Sequence, residues 1–171
     1  MQVAKATSYQ QKVAEVLPTQ QHTGWSCSAA CLKAVLRHHG FEVPEILLIW
    51  LIGTRKGRGA ETTEIVNAAR KLGFEATEGS FPSLDAAAEV LRKGFPIICD
   101  VQSFKFLGKG HYVVLTGIEG DQVHLMDPNV SGNQRTISRQ EMEERWWDRE
   151  MAEPHKLMTR WGIIIRPRKR Q

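Results

Sequence analysis

Apolar residues follow two different periods along the chain, and the change from one to the other divides the sequence. Up to about residue 94 they recur at helical spacing. Ala29, Ala30, Cys31, Leu32, Ala34, Val35 and Leu36 nearly encircle the segment 27–39, which marks a helix buried in the middle of a domain. Ser26 stands before it as an N-cap, and Gly40 ends it. Pro44 opens a short, very apolar helix over 45–52, with proline in the tolerated first turn. Ile65, Val66, Ala68, Ala69 and Leu72 predict a helix over 61–72 that stops at Gly73. Leu84, Ala87, Ala88, Val90 and Leu91, capped by Ser83, predict another that stops at Gly94. Ahead of all these, Val13, Ala14, Val16 and Leu17 form a weakly periodic patch ending at Pro18. It reads as an N-terminal arm over 1–19.

Beyond Gly94 the period becomes two. Strands are expected at 97–101, 111–118 and 122–126, with Glu119-Gly120-Asp121 as the tight turn of a hairpin between the last two. Ser138-Arg-Gln-Glu141 is a capping box ahead of a helix reaching about Trp147. Trp161 to Ile165 is a final strand. Helices first and an antiparallel sheet second predict an α+β fold.

Bulk properties narrow the class. The 171 residues, 42% hydrophobic, are enough for a single domain over 1–171 with a core at 20–165. There is no apolar run of membrane-spanning length and no secretory pattern at the N-terminus. The three cysteines include no C-x-x-C pair. That favours reduced thiols and a cytoplasmic location over a disulfide framework or a structural zinc site. A net charge of +4 raises the question of nucleic acid, but Arg166, Arg168, Lys169 and Arg170 account for all of it. These residues read as a solvated basic tail over 166–171, so no nucleic-acid partner is expected. The Gly53–Gly59 loop carries Arg55, Lys56 and Arg58. It follows a helix and lacks a Gly-Lys-Ser/Thr ending, so it reads as a mobile loop flanking a cleft, not a phosphate cradle.

The chemistry concentrates in Gln21-His-Thr-Gly-Trp-Ser-Cys27. Cys27 opens the central helix, where unpaired N–H groups and the macrodipole lower a thiol's pKa and so favour the attacking thiolate. The Cys27 N–H and the Gln21 amide could then form an oxyanion hole. On this stretch alone, an ordinary buried helix cysteine is an equal alternative. Cys31 and Cys99 sit in apolar surroundings and read as core.

A nucleophilic cysteine needs a base, and the chain has six histidines. His38 and His39 lie at the far end of the same helix, about 16 Å away at 1.5 Å per residue. His22 is near in sequence but sits on a loop, and His155 has no visible orienting partner. His111 is on a strand. A three-residue turn centred on Gly120 would set residue 113 opposite 127, putting His111 and Asp127 diagonally on one face and turning His124 to the other. A two-residue turn would shift that register. Asp127-Pro128 could equally be no more than the start of a turn.

Taken together, these motifs resemble the papain-like cysteine peptidases. More narrowly they resemble the family that removes double-glycine leaders from bacteriocin and peptide precursors. The likeness rests on Gln21-x5-Cys27, Cys31-Leu32, Gly110-His-Tyr-Val-Val-Leu115, Asp127-Pro-Asn-Val-Ser-Gly132, and Ser138 to Trp146. It runs from about Gln20 to Ile165. It implies a papain-like fold and a stand-alone peptidase domain with no cofactor and no metal. Cys27 would be the nucleophile, His111 the base, Asp127 the group that orients the ring, and Gln21 an oxyanion donor. The implied substrate is a peptide or protein cut after small residues such as Gly-Gly, with a precursor peptide or a transporter as partner. The chain departs from the family in the His-Thr-Gly-Trp-Ser loop, where acidic residues are usual, and in Ser28, where glycine is usual. Two further readings stay open: an amidase, deamidase or transglutaminase effector using the same site, or an inactive module binding an acidic partner through Arg55–Arg58 and the tail.

Overall fold

The computed structural model describes residues 15–168. The expectations for Val13 and Ala14, and for Lys169 and Arg170, lie outside them. The elements in order are α1 (Cys27–His38), α2 (Glu45–Ile52), α3 (Thr62–Lys71), β1 (Phe74–Ser80), α4 (Leu84–Arg92), β2 (Ile97–Gln102), β3 (Gly110–Glu119), β4 (Gln122–Met126), β5 (Gln134–Ser138), α5 (Arg139–Arg145), β6 (Trp147–Arg149), β7 (Leu157–Thr159) and β8 (Trp161–Pro167). A six-stranded sheet has the order β1-β8-β2-β3-β4-β5, and β6 pairs with β7 in a separate ribbon. All the pairings are antiparallel.

Both faces of the sheet are covered. Helices α1, α2 and α3 pack on the face bearing Ile98, Tyr112, Val114, Met126, Ile163 and Ile165. Helix α4, Met142 and Trp146 pack on the face bearing Ile97, Cys99, Val101, Val113 and Leu115. This accounts for the near-continuous apolar runs of β2 and β3, since central strands buried on both sides have no solvent face to keep polar. Trp146 is fully buried and donates its indole N–H to the Trp161 carbonyl at 2.9 Å. At the neighbouring Gly162 a side chain would strike Ile97 and the Phe81 ring, so glycine allows β8 to lie flat against its neighbours.

Several expectations need correction. The hairpin turn has two residues, with Glu119 opposite Gln122, and not three. Strand β1 was not expected, because Phe74-Glu-Ala-Thr-Glu-Gly-Ser is polar and ends in weak strand formers; it survives as an edge strand paired only with β8. Strands β5, β6 and β7 also lacked a sequence signal, being short and mostly polar. Helix α5 stops at Arg145, so Trp147 begins β6 instead of closing a helix. Pro44 occupies the N-cap position of α2, one residue before its first turn. Strand β8 runs to Pro167, which takes Arg166 out of the tail; its guanidinium lies 4.8 Å from the centre of the Phe95 ring.

Candidate active site

Cys27 is the first residue of α1, where the apolar run of the helix begins after the polar 21–26 loop. Ser26 holds the N-cap position, but its hydroxyl does not cap the helix. It donates to Glu45 Oε1 at 2.8 Å and accepts from the Thr23 N–H at 3.1 Å. Glu45 is buried at the start of α2 and also accepts from the His22 N–H at 3.1 Å. Its Oε2 lies 2.7 Å from His22 Nδ1. One carboxylate therefore braces the nucleophile loop at two points. Nothing in the sequence marked Glu45 for this role, since a glutamate in the first turn of a helix is common.

His111 stands on β3 beneath the head of α1. Its Nε2–H donates to Asp127 Oδ1 at 2.8 Å, and both side chains are buried. Cys27 and His111 lie near enough for each to shift the other's pKa. The structure thus brings Cys27, His111 and Asp127 into one cluster, with His111 hydrogen-bonded to Asp127. Asp127 follows the last residue of β4. It accepts from the Asn129 N–H at 3.0 Å and pairs through Oδ2 with Arg135 Nε at 2.9 Å. Arg135 lies on β5, where no strand was expected, and so escaped the sequence reading.

Register explains how His111 reaches Asp127 despite the shorter turn. From Glu119↔Gln122 to Gly117↔His124 the pairing follows the two-residue turn. A β-bulge between Leu115 and Gly117 then inserts Thr116, and Leu115↔Leu125 and Val114↔Met126 resume in the register first expected. His124 lies away from the site, with Nδ1 3.2 Å from Thr136 Oγ1. His38 and His39 are bound elsewhere, to the Gly94 carbonyl and the Ile165 carbonyl, each at 2.9 Å. His155 is exposed beside Glu153.

The site's electrostatics favour a charged pair. Burial pushes the Cys27 pKa up, but the hydrogen bond and charge of His111, with N–H groups of Tyr112 and Ser28, outweigh it and leave it lowered. Burial pulls His111 down, but its bonds to Asp127 and Cys27 and their charges push it up to about 9. Asp127 is raised by burial, yet His111, the Asn129 N–H and Arg135 bring it to about 2. Cys31 and Cys99 are fully buried, and burial pushes both well up, as expected of core thiols. The three cysteines are free.

Gln21 is buried and its backbone N–H donates to the Pro128 carbonyl at 3.1 Å, tying the nucleophile loop to the Asp127 turn. Its side-chain amide donates one N–H to the Thr23 carbonyl at 2.6 Å, leaving the second N–H of the –NH2 group free to serve another acceptor. The Gly53–Gly59 loop ends against the cavity beside Cys27, which Arg58 and Gly59 help to line. Among the described residues no His, Cys, Asp or Glu cluster could hold a metal ion. No helix among them is long and apolar enough to cross a membrane.

Comparison with known proteins now decides the family. The profile described as Peptidase C39 family matches residues 16–153. The chain belongs to the peptidase C39 family. It is a cysteine peptidase, a hydrolase of papain-like fold. It is 30% identical over 121 residues to LagD, the lactococcin-G-processing and transport ATP-binding protein of Lactococcus lactis subsp. lactis. That alignment covers 70% of this chain and 16% of LagD, so the chain spans a small part of its curated relative. The peptidase domain of Streptococcus ComA, a bifunctional ABC transporter involved in quorum sensing, superposes with a TM-score of 0.67 at 25% identity. The match covers 91% of this chain and 99% of that one. A double-glycine-motif protease from an AMS/PCAT transporter, solved in complex with the leader peptide, gives a TM-score of 0.70 at 23% identity, covering 91% and 94% of the two chains.

Proposed function

We propose that this C39 peptidase cuts a precursor peptide after small residues such as Gly-Gly, with Cys27 as nucleophile. The observation carrying this reading is Cys27 at the head of α1 beside His111, which is hydrogen-bonded to Asp127. The Cys27 thiolate attacks the carbonyl carbon while His111 holds the proton. The Cys27 N–H and the free N–H of Gln21 receive the oxyanion. His111 then gives its proton to the leaving amine as the C–N bond breaks, and later takes one from the water that hydrolyses the thioester. Asp127 fixes the tautomer and stabilises the imidazolium throughout.

Peptide leaders fit a second feature. Ile46, Leu47 and Trp50 stand exposed on α2, an apolar face on which the leader of such a precursor can dock. LagD is a processing and transport protein, which supports a place for this domain beside a peptide transporter. Three free thiols support a cytoplasmic site of action.

The test is hydrolysis of a leader peptide ending in Gly-Gly, followed by mass spectrometry. Cys27→Ala abolishes cleavage. His111→Ala lowers kcat/KM by at least about 100-fold, and Gln21→Ala by about 100-fold, the effect of one oxyanion donor. Cleavage surviving in Cys27→Ala would overturn the reading.

A further inference from the structure

Beside Cys27 lies a cavity of about 230 Å³ whose walls include Tyr112, Gly110, Ala60 and Glu61. Asp100 from β2 and Asp148 from β6 also line it, with their carboxyls in contact. We propose that this cavity binds the side chain of a lysine or arginine lying within a few residues of the scissile bond. The proposal rests on the peptidase reading and adds a cationic specificity to it.

Asp148 is fixed in place. Its Oδ1 accepts the Gln102 amide at 3.1 Å, and its Oδ2 stands over Gly110, where the Cβ of any other residue would sit. Asp100 is only 4% exposed, and no N–H or hydroxyl among the described residues serves its carboxyl. The side chain it meets is another carboxyl, that of Asp148. Burial, and then the charge of Asp148, push the Asp100 pKa well up.

The remaining charged groups on the cavity are engaged elsewhere. Arg58 forks onto Glu64 at 2.8 and 2.9 Å, and Arg149 donates to the Pro154 carbonyl at 3.2 Å. Glu61 takes part in the capping box that opens α3. The Tyr112 hydroxyl donates to the Ala60 carbonyl at 2.9 Å. The inner end therefore presents acceptors that lack donors. An ammonium supplies three N–H groups and a guanidinium five. On binding, the Asp100 and Asp148 carboxyls bracket the cation. A substrate cut after two glycines leaves this cavity to the side chain of a flanking residue.

The experiment compares quenched-fluorescence peptides carrying lysine or norleucine at each of three positions before the cut and two after it. At one position kcat/KM favours lysine by at least about tenfold, and Asp148→Asn or Asp100→Asn brings the ratio close to one. In the wild-type protein, lysine amide slows iodoacetamide alkylation of Cys27 at concentrations where norleucine amide does not, a readout that needs no variant to fold. Lysine without advantage at every position, or an advantage unchanged in both variants, overturns the cation site while leaving the peptidase reading intact. Failure of iodoacetamide to label Cys27 selectively overturns both.

Discussion

Asp127 divides its two oxygens between His111 at 2.8 Å and Arg135 at 2.9 Å, and a backbone N–H bonds it as well. The folded pKa of about 2 lies below the ordinary value of 3.8. Its stabilising contribution is therefore complete above pH 4 and is lost as the pH falls through 2. The difference corresponds to about 2 kcal/mol. Asp127→Asn is expected to cost about that much in urea denaturation at pH 7, with the gap to wild type closing at pH 2. Losing the carboxylate also lowers His111 from its value near 9, so the alkaline limb of the pH–activity profile moves to lower pH. An unchanged alkaline limb would contradict the role given to Asp127. Of these residues, Cys27, Gln21, His111 and Asp127 were legible because each sits in a local motif. Arg135, Glu45, Asp100 and Asp148 were not. Each is an ordinary charged residue whose meaning comes only from what folding puts beside it.

Among the elements, the β3–β4 hairpin does most to set the geometry. The sequence reading placed His111 and Asp127 on one face through the wrong turn. The two-residue turn alone would have put them out of phase, and the bulge at Thr116 restores them. Periodicity could not reveal that bulge, since Val-Val-Leu-Thr-Gly-Ile is buried on both faces and carries no alternation to break. Deleting Thr116 is expected to slide 110–115 by one residue against β4 and turn His111 away from Asp127. Alkylation of Cys27 should then slow to the rate of an ordinary thiol. Retained reactivity would show that β2, and not the bulge, holds His111 in position. The helices were legible for the opposite reason. α1 carries a continuous apolar run, and α3 and α4 carry caps and apolar stripes in or beside their own residues, whereas β1 and β5 to β7 owe their form to distant partners.

In the whole molecule, the site joins a helical layer to a sheet across a buried apolar core, and a set of hydrogen bonds sets the register of that join. Gln20 and Gln21 both donate to the Pro128 carbonyl, and Asn133 returns a bond to Gln20 Oε1 at 2.9 Å. Glu45 ties α2 to the nucleophile loop, and Tyr112 ties β3 to Ala60. Together they register a sulfur carried by a helix against an imidazole carried by a strand. Family membership makes the chain a cysteine peptidase; the thiolate–imidazolium pair is the account's own central claim. It is tested most directly by the pH dependence of Cys27 alkylation with iodoacetamide in wild type and His111→Ala. Wild type should label at Cys27 alone, with a rate that rises at lower pH than in His111→Ala and changes again near pH 9, where His111 loses its proton. In His111→Ala, where burial is no longer offset by the imidazole, the rate should rise only at or above the free-thiol pKa of about 8.5. Equal, slow labelling with the free-thiol profile in both proteins would contradict it.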